Sequence, residues 1–256
     1  MQDDKNGNGL AAAVAVIESS SLTSWAAEDV AAMVDHVLTV YYPNDPLPLM
    51  VEEELQYGPV KGIVDLVFPG DVLKLVDWKT SGRLDEGWQV RQRRSNQPRL
   101  YAALLGYVLG YDGPVVVEIR GLTVNDGRVS SQVLSFLVKP EEARQVYDHY
   151  EQLYAHIRCM DVKQSWLKNP GGCRLYGNSY PCMFEAYCWQ GGELDLTAAP
   201  TWSASYSSIE DFLRCPERYR LKQLTGKEDS SEAIQIGQVF HLAVSELYKA
   251  KLMEEK

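Results

Sequence analysis

The sequence predicts an α/β protein. Strand-like stretches bounded by turn residues, helical stretches with apolar residues three and four apart, and the interleaving of the two carry that prediction. The first dozen residues read as a flexible polar lead. Over 25–41, Val30, Met33, Val34, Val37 and Leu38 recur at helical spacing, giving an amphipathic helix with an acidic outer face that Pro43, Asn44, Asp45 and Pro46 end. Strands follow at 49–57, 61–68 and 72–79, separated by Gly58-Pro59 and by Pro69-Gly70-Asp71. Residues 97–111 return to helix, with Leu100, Leu104, Tyr107 and Val108 on one side. Strands at 114–124 and 132–138 flank Asn125-Asp126-Gly127, a hairpin turn signal. A long helix over 140–166 carries Val146, Tyr150, Leu153, Tyr154 and Ile157. An irregular Gly- and Cys-rich stretch, 169–189, and a linker, 191–204, lead to two final helices. Ser207 and Glu210 make a capping box for the first, and the second spans about 237–252. The expected organisation is a core over 1–190 and a helical segment over 205–256 that packs onto the same domain.

Composition narrows the function classes. The 256 residues hold 25 Lys+Arg against 35 Asp+Glu, a formal charge of −10, with 45% hydrophobic residues. No apolar run approaches the roughly 20 residues of a membrane span. The opening MQDDKNGNG is acidic and polar, unlike a secretory leader, and five cysteines without an export signal do not form a disulfide framework. The acidic balance argues against a nonspecific nucleic-acid coat protein, though not against local handling of nucleic acid.

The stretch from Gly62 to Thr80 carries the chemistry. In an antiparallel hairpin turning near Asp71, partner numbers sum to about 142, which sets Asp65 opposite Asp77 with Cβ atoms roughly 5 Å apart. Lys79 lies two residues on and shares that face. Two carboxylates meeting among apolar strand residues repel unless neutralised, and a hard divalent cation with oxygen ligands does this. A Lys beside them positions a water or balances transition-state charge. The alternative is a pair of solvent-facing aspartates on an ordinary hairpin.

Gly62-x-x-Asp65 followed by Asp77-x-Lys79 resembles the core of the PD-(D/E)XK nucleases, and Gln97-x-x-x-Tyr101 resembles the Gln-x-x-x-Tyr motif of their RecB-type branch. Gly237-x-x-x-His241 is similar to the Gly-x-x-x-His helix of that branch. The resemblance implies a restriction-endonuclease-like core, a central mixed sheet flanked by helices. It implies that His241, Asp65, Asp77 and the Trp78 backbone carbonyl hold Mg²⁺ or Mn²⁺, His favouring Mn²⁺ somewhat. It further implies that Lys79 takes part in catalysis and that Gln97 and Tyr101, on one helix face, support the site and meet the DNA strand. By itself a helical His or Tyr is structural. The Glu often found four residues after the family's His is Ser245 here, so Glu246 receives no role.

The cysteines lie at 159, 173, 182, 188 and 215. Cys215-Pro216-Glu217-Arg218-Tyr219 resembles the Cys-Pro-x-x-Tyr motif of iron–sulfur RecB-type nucleases, the AddB and CRISPR-associated group. That resemblance implies a [4Fe–4S] cluster on Cys173, Cys182, Cys188 and Cys215, with zinc as the alternative. Cys159 is then a packed thiol. In the family the Cys-Pro-x-x-Tyr and Gly-x-x-x-His motifs come first; here they come last, so the resemblance covers nearly the whole chain in circularly permuted order. Lys256 would run into Met1, with residues 3–9 as a polar loop between helices.

Charge is unevenly placed. Residues 1–60 carry ten acidic residues and one Lys, whereas Arg91, Arg93, Arg94 and Arg99 fall in a stretch with no acid. Arg214, Arg218, Arg220 and Lys222 form a second basic group. In the resembled fold both groups flank the path of a phosphate backbone, which makes Arg91, Arg93, Arg94, Arg99 and Arg218 candidate DNA contacts, with Trp78, Trp88 and Tyr101 as stacking candidates and core packing the first role for Trp78. The resulting expectation is a metal-dependent deoxyribonuclease, a single-strand or DNA-end exonuclease acting in recombination, repair or DNA processing. It would work in the cytoplasm of a bacterial, archaeal or phage-infected cell, beside recombination or CRISPR-type proteins and without a membrane. The competing readings are a non-catalytic DNA-binding adaptor of the same fold and a zinc-stabilised interaction protein.

Overall fold

The computed structural model describes residues 7–175, 180–190, 193, 194, 196, 200, 202, 204–227 and 231–254. Helices α1 (Gly7–Glu18) and α2 (Ser24–His36) open it, and α2 runs into a π-helical turn at Val37–Tyr41. Strands β1 (Met50–Tyr57), β2 (Val60–Phe68) and β3 (Leu73–Thr80) follow, then α3 (Glu86–Arg94), α4 (Gln97–Leu109), β4 (Val115–Asn125), β5 (Arg128–Val138) and α5 (Pro140–Cys159). The remainder holds the short strands β6 (Arg174–Leu175) and β7 (Tyr180–Pro181), helix α6 (Glu185–Gln190), strand β8 (Ala204–Ser205), and helices α7 (Tyr206–Arg214), α8 (Pro216–Thr225) and α9 (Glu232–Glu254). The chain divides into two compact units: residues 1–55, 63–144 and 230–256, and residues 56–62 and 145–229. This division puts α9 in the first unit and the Cys-rich stretch in the second, and most of the expected linker, 191–204, lies outside the described residues.

In the first unit the sheet runs β1-β2-β3-β4-β5. β2 and β3 pair antiparallel through Leu66↔Val76, Val67↔Leu75 and Phe68↔Lys74. β3 and β4 pair parallel from Leu73↔Val115 to Thr80↔Leu122, with α3 and α4 in the crossover such a pair requires. β4 and β5 form a hairpin closed at Asn125↔Arg128. Asp126 and Gly127, with φ of 49° and 70°, supply the two left-handed residues of a type I′ turn.

The sheet is mixed and flanked by helices. Leu66, Phe68, Val76, Trp78 and Leu122 share one core with α1, α2 and α9, through Ala13, Ile17, Val30, Met33, Val34, Phe240, Val244 and Tyr248. On the other side α4 buries Leu100, Tyr101 and Leu104. The polar lead expected over the first dozen residues is helical from Gly7, because the Ala-rich run from Leu10 to Val16 packs onto α9. A Cβ on Gly9 would stand 2.9 Å from Ala250 Cβ. Thr23, just past α1, donates to Glu232 at the start of α9 (2.6 Å), so α1 and α9 run antiparallel. Residues 1–6, which include most of the loop expected over 3–9, lie outside the description.

A buried ion pair ties α9 to the sheet. Arg120 of β4 donates from both terminal nitrogens to Asp45, at 2.6 Å for the Oδ1 bond, and from Nε to Glu118. Tyr248 of α9 donates its hydroxyl to the same carboxylate, and Lys251 Nζ donates to the Tyr42 and Asp45 carbonyls. The guanidinium lies over the rings of Tyr41 and Trp78 at 4.5 and 5.1 Å. Burial by itself would raise the Asp45 pKa, but the hydrogen bonds from Arg120 and Tyr248 and the charges of Arg120 and Lys74 hold it below the ordinary value.

In the second unit β8 pairs parallel with β2 at Val60↔Ala204 and Lys61↔Ser205. α7 is capped by Ser205, whose hydroxyl accepts the Ser208 N–H (3.2 Å), rather than by the expected Ser207–Glu210 box; Glu210 instead accepts the Tyr150 hydroxyl (2.8 Å). The long helix ends at Cys159, seven residues short of Trp166. Cys159, expected as a packed thiol, is exposed there. Two residues along a helix is a turn of roughly 200°, so Ile157 facing inward points Cys159 outward.

Asp45→Ala leaves Arg120 buried without its main counter-charge, so the denaturant midpoint should fall by the equivalent of about 3–5 kcal/mol. The wild-type contribution of Asp45 is complete above its unfolded pKa, near 4, and is lost as pH falls through the lower folded value. The stability difference between wild type and Asp45→Ala should therefore narrow on acidification below about pH 4.

Candidate active site and metal centre

The β2–β3 register runs to Leu66↔Val76, whose numbers sum to 142 like those of Asp65 and Asp77, the next residues along each strand. At that step the carboxylate takes over the ladder, and Asp65 Oδ2 accepts the Trp78 N–H at 2.7 Å. The same oxygen lies 3.3 Å from Nδ1 of His241, which α9 brings over the strand end. Gly237, one turn earlier, faces β3, where a Cβ would meet Thr80 Oγ1 at 3.4 Å, an ordinary contact.

A third ligand-type group, absent from the sequence expectation, joins them. Glu52 of β1 places Oε1 3.9 Å from His241 Nδ1. Glu52, Asp65 and His241 offer one ligand atom each, all within 4.8 Å of one another. Glu52 has φ 48°, a left-handed backbone unusual for a non-glycine strand residue. Val51 and Leu55, four residues apart, keep to one buried face of β1, and between them Glu52 brings its carboxylate to the site. In sequence Glu52, Glu53 and Glu54 are indistinguishable; only the fold selects one.

Asp77 occupies the other half of the site. It is 2% exposed, and Lys79 Nζ donates to its Oδ1 at 3.0 Å while lying 2.8 Å from Oδ2. Lys79 also donates to Gln97 Oε1 (3.0 Å), and Gln97 Nε2 donates to the Tyr101 hydroxyl (2.9 Å). The motif residues thus form one hydrogen-bonded chain from β3 to α4. Electrostatics separates the two carboxylates. Burial works against both charges, but His241, Lys79 and the Trp78 N–H bring Asp65 below its ordinary pKa, whereas burial and Asp65 leave Asp77 above it. Burial and Asp65 also raise Glu52. Burial opposes the charge on His241, and Asp65 outweighs it, so the imidazole pKa is raised. Burial pushes Tyr101 up to about 12.

A family model for the PD-(D/E)XK nuclease superfamily matches residues 7–188 and 203–256. The chain belongs to the PD-(D/E)XK nuclease superfamily. No curated protein and no solved structure matches it. For a PD-(D/E)XK protein a divalent cation is the expected partner of this site, and the residues fit one. Two carboxylates and an imidazole converge at ligand spacing, the donor set of a hard to borderline divalent cation.

The remaining candidates are differently placed. Arg91, Arg93 and Arg94 are exposed on α3. Gly121, the β4 register partner of Lys79, sits under that helix, because a Cβ there would fall 2.5 Å from the Trp88 ring. Arg99 is engaged by Glu142 and by the Arg93 and Ser95 carbonyls. Arg218 is 2% exposed and lies 3.7 Å from Asp211, which leaves almost no surface for a phosphate. Trp78, Trp88 and Tyr101 are buried, so none is a stacking surface; their spacing near the motifs reflects packing under the site.

In the second unit, Cys173, Cys182 and Cys188 share an apolar cluster with Phe184 and Leu221. Cys182 N–H donates to the Cys173 carbonyl (2.8 Å), and Cys215 Sγ accepts the Asn169 N–H (3.4 Å). Burial raises the Cys182 and Cys188 thiols, and Cys215 is close enough to raise both further.

Gly121→Ala should push Trp88 and α3 off the sheet. We expect a loss of about 1–3 kcal/mol in chemical denaturation, with altered tryptophan emission in the folded state.

Proposed function

We propose that this protein is a metal-dependent deoxyribonuclease that hydrolyses phosphodiester bonds in single-stranded or end-bearing DNA. The observation that carries the reading is the meeting of Glu52, Asp65 and His241 beside the Asp77–Lys79–Gln97 chain. Glu52, Asp65, Asp77, His241 and the Trp78 carbonyl would hold Mg²⁺ or Mn²⁺. When bound, the cation supplies polarisation of the scissile phosphate and a more acidic water. Lys79 has three N–H donors; Asp77 and Gln97 take two, and the third is available for a water or a phosphate oxygen that gains charge. Gln97 keeps the ammonium on that line, and Tyr101 anchors Gln97. Arg91, Arg93 and Arg94, exposed above the strand that pairs with β3, suit contacts to the DNA backbone.

Two finer readings accompany this one. The motif order is that of a permuted RecB-type chain, supported by the antiparallel neighbours α1 and α9, so closely packed that a Cβ on Gly9 would clash with Ala250. The four cysteines hold a [4Fe–4S] cluster. Cys173, Cys182 and Cys188 share one apolar cluster, and Asn169 contacts both Cys173 and Cys215, which brings the four into one region of the unit.

Cleavage of end-labelled and circular single-stranded DNA, assayed with Mg²⁺ and Mn²⁺, tests the reading. Asp77→Ala and Lys79→Ala should each lose at least about 10²-fold in rate with folding intact; full activity in either sinks the mechanism. Glu52→Gln should weaken Mn²⁺ binding by calorimetry, while Glu53→Gln should not. Mixing His241→Ala and Asp77→Ala chains should not restore cleavage, because one chain supplies the whole site.

A further inference from the structure

Two N–H groups point at cysteine sulfurs in the second unit. Trp189 Nε1–H donates to Cys173 Sγ at 3.2 Å, although its ring is 52% exposed and water is at hand as an acceptor. The Asn169 backbone N–H donates to Cys215 Sγ at 3.4 Å, and the Asn169 carbonyl accepts from the Cys173 thiol at 3.7 Å. One residue therefore touches cysteines 42 positions apart in the sequence. A thiol sulfur is a weak acceptor, whereas a thiolate makes the stronger, charge-assisted bond, so these donors matter most when the sulfurs are ionised on a metal.

Asn169 is held by a buried ion pair. Glu217 is fully buried; its Oε2 accepts the Trp166 N–H (2.7 Å) and Arg220 Nε (2.8 Å), and its Oε1 accepts Arg220 Nη2 (2.7 Å). Arg220 Nη1 donates to the Val162 carbonyl at 3.0 Å, and the Glu217 N–H donates to the Leu167 carbonyl at 3.2 Å. The pair thus fixes the backbone from 162 to 167, two residues before Asn169, from the first turn of the helix that follows Cys215. Lys168 Nζ donates to the Cys188 carbonyl and lies 5.4 Å over the Trp189 ring, holding the indole in place.

We propose that Trp189 and Asn169 are the sulfur-directed donors of a metal–thiolate centre and that Glu217 and Arg220 are its positioning residues. This rests on the reading that Cys173, Cys182, Cys188 and Cys215 bind metal. Metal binding releases the Cys173 thiol proton to solvent, so its bond to the Asn169 carbonyl is given up while the Trp189 donor strengthens.

The test uses the full chain purified anaerobically, with iron and zinc measured and their release to a chelator followed. Glu217→Gln should weaken metal retention about 10–100-fold. Trp189→Phe removes the indole N–H and keeps an aromatic ring at a surface position, so it should fold normally yet lose metal faster. With iron bound, its reduction potential should become more negative, because N–H···S bonds favour the reduced, more negative state. Unchanged release and unchanged potential in Trp189→Phe overturn the proposal. A wild-type protein carrying neither iron nor zinc overturns the four-cysteine reading instead, which separates the two failures.

Discussion

The carboxylate of Asp45 is the constraint on which the active site depends. It receives both terminal nitrogens of Arg120 and the hydroxyl of Tyr248, and so joins the loop after the π-helical turn, strand β4 and helix α9 at one buried point. Burying that charge is costly, and the cost is offset only because every partner is in place. Removing one partner leaves a charge stranded, so the junction has one workable arrangement. His241 rides on the same helix as Tyr248, two turns away, and its approach to Asp65 is set by where that helix is held.

Around this anchor the site separates into two halves with different chemistry. Glu52, Asp65 and His241 are two carboxylates and a nitrogen at ligand spacing, the arrangement that suits a cation. Asp77 is already matched by Lys79, and Gln97 and Tyr101 extend that pair into α4. Strain marks the join. Glu52 adopts a backbone conformation that costs of order 1–3 kcal/mol, and its carboxylate lies with Asp65 and His241.

Much of the site was legible in the sequence, because its rules are local. Partner positions in a short hairpin follow from the turn, so Asp65 and Asp77 face each other; strand period 2 puts Lys79 with Asp77, and helix period 3.6 puts Gln97 with Tyr101. The Asn125-Asp126-Gly127 turn likewise fixes its hairpin from three residues. What escaped was of two kinds. Helices α1 and α3 have weak local signals and form because α9 and the sheet give their apolar residues somewhere to go. The burial of Arg218 and Trp88 was not legible because exposure is not a property of sequence position; Arg218 lies beside Asp211, and Trp88 closes over Gly121.

The sequence by itself determined the α/β class, the carboxylate pair with its Lys, the Gln–Tyr helix and the His at the end of a glycine-spaced turn. Each is a relation between residues a few positions apart, and backbone periodicity settles such relations before any packing occurs. Tertiary structure decided the choice of Glu52 from three adjacent glutamates, the joining of His241 to Asp65 across 176 positions, and the Asp45–Arg120 anchor that permits both. These are contacts between distant segments, and only the burial that closes the sheet against α9 makes one geometry cheaper than its alternatives.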